Sequence, residues 1–187
     1  MNTLLRIGRA ALGSMIVATL VMSSGALAAL SEDTKAPDFT LQGALGGQPI
    51  TFSLSQALKN GPVVLYFFPA AFTSGCTLEA HAFADATDRF KAMHATVIGV
   101  TAGNVERVAE FSKAECRSKF AVVADPGAQV AKLYDTQIQH DDRILSDRTS
   151  FVIAPDGTIL LSFTDKNPLA HIDKTMEVVT SLYHQKN

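Results

Sequence analysis

The sequence predicts an α/β fold: a central mixed sheet with helices on both faces. Two observations carry it. Strand-like and helix-like segments alternate along the chain, and one of the strands, residues 63–68 (VVLYFF), is an unbroken apolar run of the kind buried on both faces of a sheet. A hairpin followed by one last helix at the C-terminal end supplies antiparallel strands, which makes the sheet mixed.

Taken in order, residues 50–54 (ITFSL) alternate apolar and polar after Gly46-Gly47 and predict a half-buried strand. Ser55 is placed to cap a short helix that ends near Asn60-Gly61-Pro62. The apolar strand 63–68 lies between Pro62 and Pro69. From 76 to 91, Leu78, Ala82, Phe83, Ala86 and Phe90 recur at three and four residues, the spacing of an amphipathic helix. A strand at 96–100 follows, then a helix capped by Asn104 and running to about Arg117, then a strand at 120–124. Asp125-Pro126-Gly127 makes a turn into a short helix ending at Tyr134, and the polar stretch 135–147 reads as a loop. Strands at 150–153 and 158–163 flank the turn Pro155-Asp156-Gly157, and a helix from Pro168 turns Ile172, Met176, Val179 and Leu182 inward. The thioredoxin-like α/β fold fits this order.

The 187 residues suit one compact domain, with no repeat or low-complexity linker after Leu30. Sixteen basic against 18 acidic residues give a net charge of −2, which argues against a nucleic-acid-binding surface and against an acidic disordered chain. Residues 1–28 have the layout of an export signal: Arg6 and Arg9, an uncharged run at 10–22, and a small-residue cleavage site at Ala26-Leu27-Ala28. The apolar run is shorter than the roughly 20 residues that span a bilayer. An uncleaved anchor is the alternative, and either reading puts the domain, 29–187, outside the cytoplasm in a periplasmic setting. Cleavage removes two basic residues and no acidic one, leaving a mildly acidic domain of charge −4 with no membrane insertion.

Two cysteines are too few for a disulfide scaffold or a four-thiolate zinc site, so they act singly or as one pair. Cys76 follows the buried strand directly, at the first turn of a helix, where unpaired amides and the helix dipole favour a thiolate. Cys116 falls at the end of the next helix. Taken singly, a cysteine, proline, threonine or glutamate here has an ordinary structural role as core filler, strand end, cap or dipole partner. Only their joint spacing points to chemistry.

That spacing, Pro69-x-x-x-Thr73-x-x-Cys76 with Glu79 one turn on, resembles the peroxiredoxin active-site signature. Tyr66-Phe67-Phe68-Pro69 and Gly75-Cys76-Thr77-Leu78-Glu79-Ala80 are similar to the bacterioferritin-comigratory-protein or PrxQ branch. Ala36-Pro37-Asp38-Phe39-Thr40-Leu41, Ala124-Asp125-Pro126-Gly127 and Arg148-Thr149-Ser150-Phe151-Val152-Ile153 extend the resemblance over essentially the whole domain. It implies a thiol peroxidase acting on hydrogen peroxide and organic hydroperoxides, with no metal or organic cofactor. Cys76 would attack the O–O bond, Thr73 and Arg148 would hold peroxide and thiolate, Pro69 would wall the pocket, and Glu79 would hold the guanidinium. Arg143 lies near Arg148 but reads as a solvated loop charge.

The sequence departs from many members of the branch at His81, where they carry a second cysteine. His81 reads as a helix-surface residue without a catalytic role. Cys116 is then the expected resolving residue, through local unwinding, with a one-cysteine enzyme regenerated by an external thiol as the alternative. The expected partners are a peroxide and a thioredoxin-like or other thiol reductant, and the branch implies a monomer or weak homodimer. A disulfide carrier would need a cysteine where Glu79 stands, and a copper-binding protein of this fold one where Ala80 stands.

Overall fold

The computed structural model describes residues 29–185. The expected leader and its cleavage site lie outside the described residues. Strand β1 (Thr40–Leu45) and β2 (Gln48–Ser53) form a hairpin, and α1 (Leu54–Leu58) follows directly. Its cap is Ser53, not Ser55: the Ser53 hydroxyl accepts from the Gln56 amide at 3.4 Å. Then come β3 (Val63–Ala70), α2 (Ser74–Ala92), β4 (Thr96–Gly103), α3 (Val108–Ala114), β5 (Ala121–Ala124) and α4 (Gln129–Leu133). The chain continues through β6 (Gln137–His140), β7 (Arg143–Ser146), β8 (Thr149–Ile153) and β9 (Ile159–Thr164), and the last helix is α5 (Pro168–Gln185). Among the described residues no helix is long and apolar enough to cross a membrane.

Seven strands form one sheet in the order β2-β1-β5-β4-β3-β8-β9. The central β3, β4 and β5 run parallel, while β1 on one side and β8 on the other pair antiparallel. The sheet is mixed, as expected, and β3 sits between β4 and β8. Its side chains divide by the period of two. Val64, Tyr66 and Phe68 enter one apolar layer with Phe83 and Phe90 of α2, Phe111 of α3, and Ile172 and Met176 of α5. Val63, Leu65 and Phe67 enter the opposite layer with Leu54 and Leu58 of α1 and Val130 and Ala131 of α4. Helices therefore cover both faces.

Tyr66 lies flat across its β4 neighbour Gly99, whose position has no room for a side chain: a Cβ there would sit 2.8 Å from the phenol. The ring stacks on Phe83 at 4.5 Å and Phe68 at 5.4 Å.

Three further expectations need correction. The stretch 135–147 is a second antiparallel hairpin, β6–β7, rather than a loop, and Ser146 ties it to β3 by donating to the Phe68 carbonyl at 2.9 Å. Asn104 does not cap a helix: its backbone is left-handed at φ 54°, and its amide donates to the Ala71 carbonyl at 2.7 Å. The following helix opens with a single 3-10 turn and ends at Ala114, which leaves Cys116 in the turn beyond it.

Candidate active site

Strand β3 runs through Pro69 to Ala70, and three residues later the chain turns into α2. Pro69 costs no ladder bond, because β4 pairs with Phe68 and Ala70 on either side of it and β8 has ended at Phe67. The turn is strained at Phe72, a non-glycine residue with φ 64°. Its neighbours over-determine that conformation: the ring meets Phe111 edge-on at 5.2 Å, and the Arg107 guanidinium lies 3.8 Å over its centre. On the preceding residue, the Ala71 amide donates to Gly103 at 3.2 Å while its carbonyl takes the Asn104 bond. The entry to α2 is a fixed platform.

Cys76 occupies the first turn of α2 and is only 1% exposed. Arg148 precedes β8, and the pairing of Thr149 with Phe67 brings it to the C-terminal end of β3. Its Nη2 lies 3.5 Å from Cys76 Sγ, while Nη1 donates to Glu79 Oε2. One guanidinium thus bridges the sulfur and the carboxylate. Gly75 lets it pass, since a Cβ there would stand 3.1 Å from Nη2.

Glu79 is fully buried, and burial pushes its carboxyl up to about 8 against the opposing pull of Arg148. Burial works against the Arg148 charge as well, but Glu79 and Cys76 outweigh it and hold the guanidinium above its usual range.

Thr73 is the residue before α2 and is exposed; its hydroxyl donates to the Ala70 carbonyl at 3.1 Å, not to sulfur. Pro69, four residues earlier, is half-buried. The structure therefore assembles Pro69, Thr73, Cys76, Glu79 and Arg148 at one end of β3.

Cys116 lies in the same apolar layer as Cys76, fully buried, and both thiols are free. Burial, with Glu115 adding to it, pushes the Cys116 thiol well up. The two residues after it, Arg117 and Ser118, have left-handed backbones at φ 49° and 56°. His81 is on the α2 surface, as expected, with its Nε2 2.7 Å from Glu115 Oε2. Arg143 is exposed at the start of β7.

Three residues of the site were not foreseen from sequence. His171 of α5 and Ser150 of β8 lie fully buried behind Glu79, and the Tyr66 hydroxyl is buried without a hydrogen-bond partner among the described residues. Burial, both cysteines and Glu79 push the Tyr66 phenol well up, with Arg148 opposing. A cleft of about 410 Å³ lies elsewhere, at the opposite end of β3 around Pro62, Met93 and Leu182, and holds none of these residues.

Residues 33–162 match the model of the AhpC/TSA family. The chain is 31% identical over 156 residues to the chloroplastic peroxiredoxin Q of Sedum lineare, covering 83% of this chain and 81% of that one. It is 34% identical over 158 residues to the chloroplastic peroxiredoxin Q of Suaeda salsa, covering 83% and 71%. Among solved structures it resembles peroxidoxin BcpB from Mycobacterium tuberculosis, with a TM-score of 0.72, 30% identity, and coverage of 81% and 97%. Thioredoxin peroxidase I of Plasmodium yoelii shares the fold at a TM-score of 0.71 and 21% identity, covering 83% and 92%. With fold, motif and relatives in agreement, the chain belongs to the AhpC/TSA family, among its peroxiredoxins of the PrxQ and bacterioferritin-comigratory-protein branch.

Proposed function

We propose that the protein is a thiol peroxidase that reduces hydrogen peroxide and organic hydroperoxides at Cys76. The observation that carries this is the Arg148 guanidinium spanning Cys76 Sγ and buried Glu79. In the first step the Cys76 thiolate attacks one peroxide oxygen. An S–O bond forms and the O–O bond breaks. The attacked oxygen keeps its hydrogen as the sulfenic acid, and the departing hydroxide or alkoxide takes up the proton that the Cys76 thiol gave to solvent on ionising, leaving as water or alcohol. Arg148 stabilises the negative charge as it passes from sulfur to the leaving oxygen. The Thr73 hydroxyl proton is directed at Ala70, which leaves its oxygen lone pairs to accept from the peroxide O–H. Pro69, lacking an N–H, walls the site without offering a competing donor.

In the second step the Cys116 thiol attacks the sulfenic sulfur, an S–S bond forms, and water leaves. Burial opposes a Cys116 thiolate in the closed form, so resolution follows unwinding of the turn that holds it. The left-handed Arg117 and Ser118 make that turn the natural place to open. A thioredoxin-like dithiol then reduces the disulfide and is itself oxidised. The same burial of Cys116 favours a second reading, in which an external thiol attacks the sulfenic acid directly. On this reading the export-like sequence of residues 1–28 directs the enzyme outside the cytoplasm, where its reductant is an exported or membrane-supplied thiol, and the family resemblance argues for a monomer or weak homodimer.

One equivalent of hydrogen peroxide and an intact mass test both readings. Loss of two hydrogens in the wild type, with addition of one oxygen in Cys116→Ser, is expected. A sulfenic acid that persists in the wild type removes Cys116 from the scheme, and no mass change at all removes Cys76. Native material also reports whether the chain begins at Ala29.

A further inference from the structure

Among the described residues, His171 is a fully buried ionisable group that the chemistry above does not use. Its hydrogen bonds fix the tautomer. Nε2 lies 2.9 Å from the Asp165 carbonyl oxygen, which can only accept, so Nε2 carries a proton and donates it. Nδ1 lies 2.8 Å from Ser150 Oγ and 3.9 Å from Glu79 Oε1. The Phe163 ring closes another side, edge-on at 5.0 Å.

Glu79 is the complementary half. Its Oε2 is taken by Arg148, while Oε1 is buried with no hydrogen-bond partner among the described residues. A buried, unpartnered carboxylate oxygen bears the full cost of its lost hydration. The atom it faces is a nitrogen that, in a neutral ring, offers a lone pair. At 3.9 Å the two atoms are beyond hydrogen-bond distance, and the single lone pair of Nδ1 takes the Ser150 hydroxyl at 2.8 Å, so a proton on Oε1 competes with Ser150 for it.

We propose that Glu79 and His171 hold one proton between them, and that His171 is thereby a positioning residue for the Cys76 site. It rests on the peroxidatic role of Cys76. When the proton is on Glu79, Arg148 still donates to Oε2 but faces a neutral acid, and its positive charge is available to the sulfur. When Glu79 is ionised, the carboxylate neutralises the guanidinium from behind.

The surroundings favour the first arrangement. Burial raises Glu79 and lowers His171, so both are held in their neutral forms. The groups acting on the ring are Glu79 from α2, Arg148, which lowers it further, the Asp165 carbonyl and carboxylate, and Asp147, which oppose. Nδ1 is the one acceptor of the neutral ring, and the Ser150 hydroxyl donates to it at 2.8 Å, in competition with a proton on Glu79.

The two neighbours therefore have opposite effects. His171→Gln retains an amide donor for Asp165 but removes Nδ1, so Glu79 ionises more readily and the Cys76 thiolate loses support. Ser150→Ala frees Nδ1 for Glu79 alone, and the thiolate gains. The test titrates Cys76 by thiolate ultraviolet absorbance in a Cys116→Ser background, with helix content monitored by circular dichroism. His171→Gln is expected to move the midpoint up by about half a unit to one unit and to slow reaction with hydrogen peroxide at neutral pH by about three- to tenfold. Ser150→Ala is expected to move it down. In a Glu79→Gln background, His171→Gln is expected to change nothing.

Shifts of the same sign in the two single variants, no shift in either, or a His171 effect that survives in Glu79→Gln overturn the proposal. If His171→Gln fails to fold, Ser150→Ala decides alone: a downward shift that vanishes with Glu79→Gln supports it, and any other result overturns it. The absorbance titration needs no peroxide, so failure of the peroxidase reading shows separately, as an unchanged intact mass after peroxide.

Discussion

His81 Nε2 lies 2.7 Å from Glu115 Oε2, which ties the helix that carries Cys76 to the residue directly before Cys116. Two more ion pairs repeat the arrangement. Asp85 pairs with Arg117, and Asp88 with Lys119 at 2.8 Å. Positions 81, 85 and 88 share one face of α2, and 115, 117 and 119 alternate along the segment around Cys116.

On the resolving role proposed for Cys116, this ladder opposes the opening that lets it reach Cys76. Exposed ion pairs are individually weak and screened by salt. Asp85→Asn with Asp88→Asn, or added salt, is expected to speed disulfide formation by about two- to fivefold while leaving sulfenic acid formation unchanged. Rapid-mixing fluorescence separates the two phases. A change confined to the first phase would count against the idea.

Arg148 touches both the sulfur and the buried carboxylate, so its replacement removes the charge and leaves Glu79 uncompensated. Arg148→Lys keeps a charge but cannot span both partners with a planar fork. Its kcat/KM for peroxide is expected to fall about 100-fold, the scale seen when one transition-state donor is lost. Steady-state peroxide consumption measures this directly.

Gly75→Ala separates stability from activity. Alanine suits a helix better than glycine by about 1 kcal/mol, yet its Cβ would press on Arg148 Nη2 at 3.1 Å. The variant is expected to melt no lower than the wild type, by differential scanning calorimetry, while reacting with peroxide about tenfold more slowly.

The pH dependence of stability has a definite sign. Glu79 titrates near 8 when folded and near 4.5 when unfolded. Folding thus favours its acid form, and its contribution is complete below 4.5 and lost as pH rises through 8. His171, lowered from 6.5, acts in the opposite direction, but only as pH falls below 6.5. Between about 6.5 and 8 the Glu79 effect stands alone. Wild type is expected to lose stability relative to Glu79→Gln across that window, measured by urea unfolding. A constant difference between the two curves would exclude a raised Glu79.

Much of the fold is legible in the residues because its signals are local. The apolar run of β3, the three- and four-residue spacing of α2, and the Pro155-Asp156-Gly157 turn each declare an element without help from distant contacts. The β6–β7 hairpin does not. QIQH and RILS are polar or mixed, exposed at their outer ends, and joined through Asp141 at φ 52° rather than through a glycine. Asn104 misleads because a residue that suits a helix cap also suits a left-handed backbone.

The site divides the same way. Pro69, Thr73, Cys76 and Glu79 lie within eleven positions and are read as one motif, and Arg148 is reached through the family resemblance. His171 sits in an amphipathic helix where a histidine reads as a polar-face residue. Only the packing of α5 against α2 and β8 reveals it behind Glu79.

The alternation of β3 makes the sheet a partition. Cys76, Cys116, Glu79 and His171 all lie on the side of α2, α3 and α5, and among the described residues none of the four enters the apolar layer around Leu54, Phe67 and Tyr134. One half of the interior is a reaction vessel and the other is its footing. Repacking the footing therefore tunes how long the protein survives, and leaves what it does to be set on the other side.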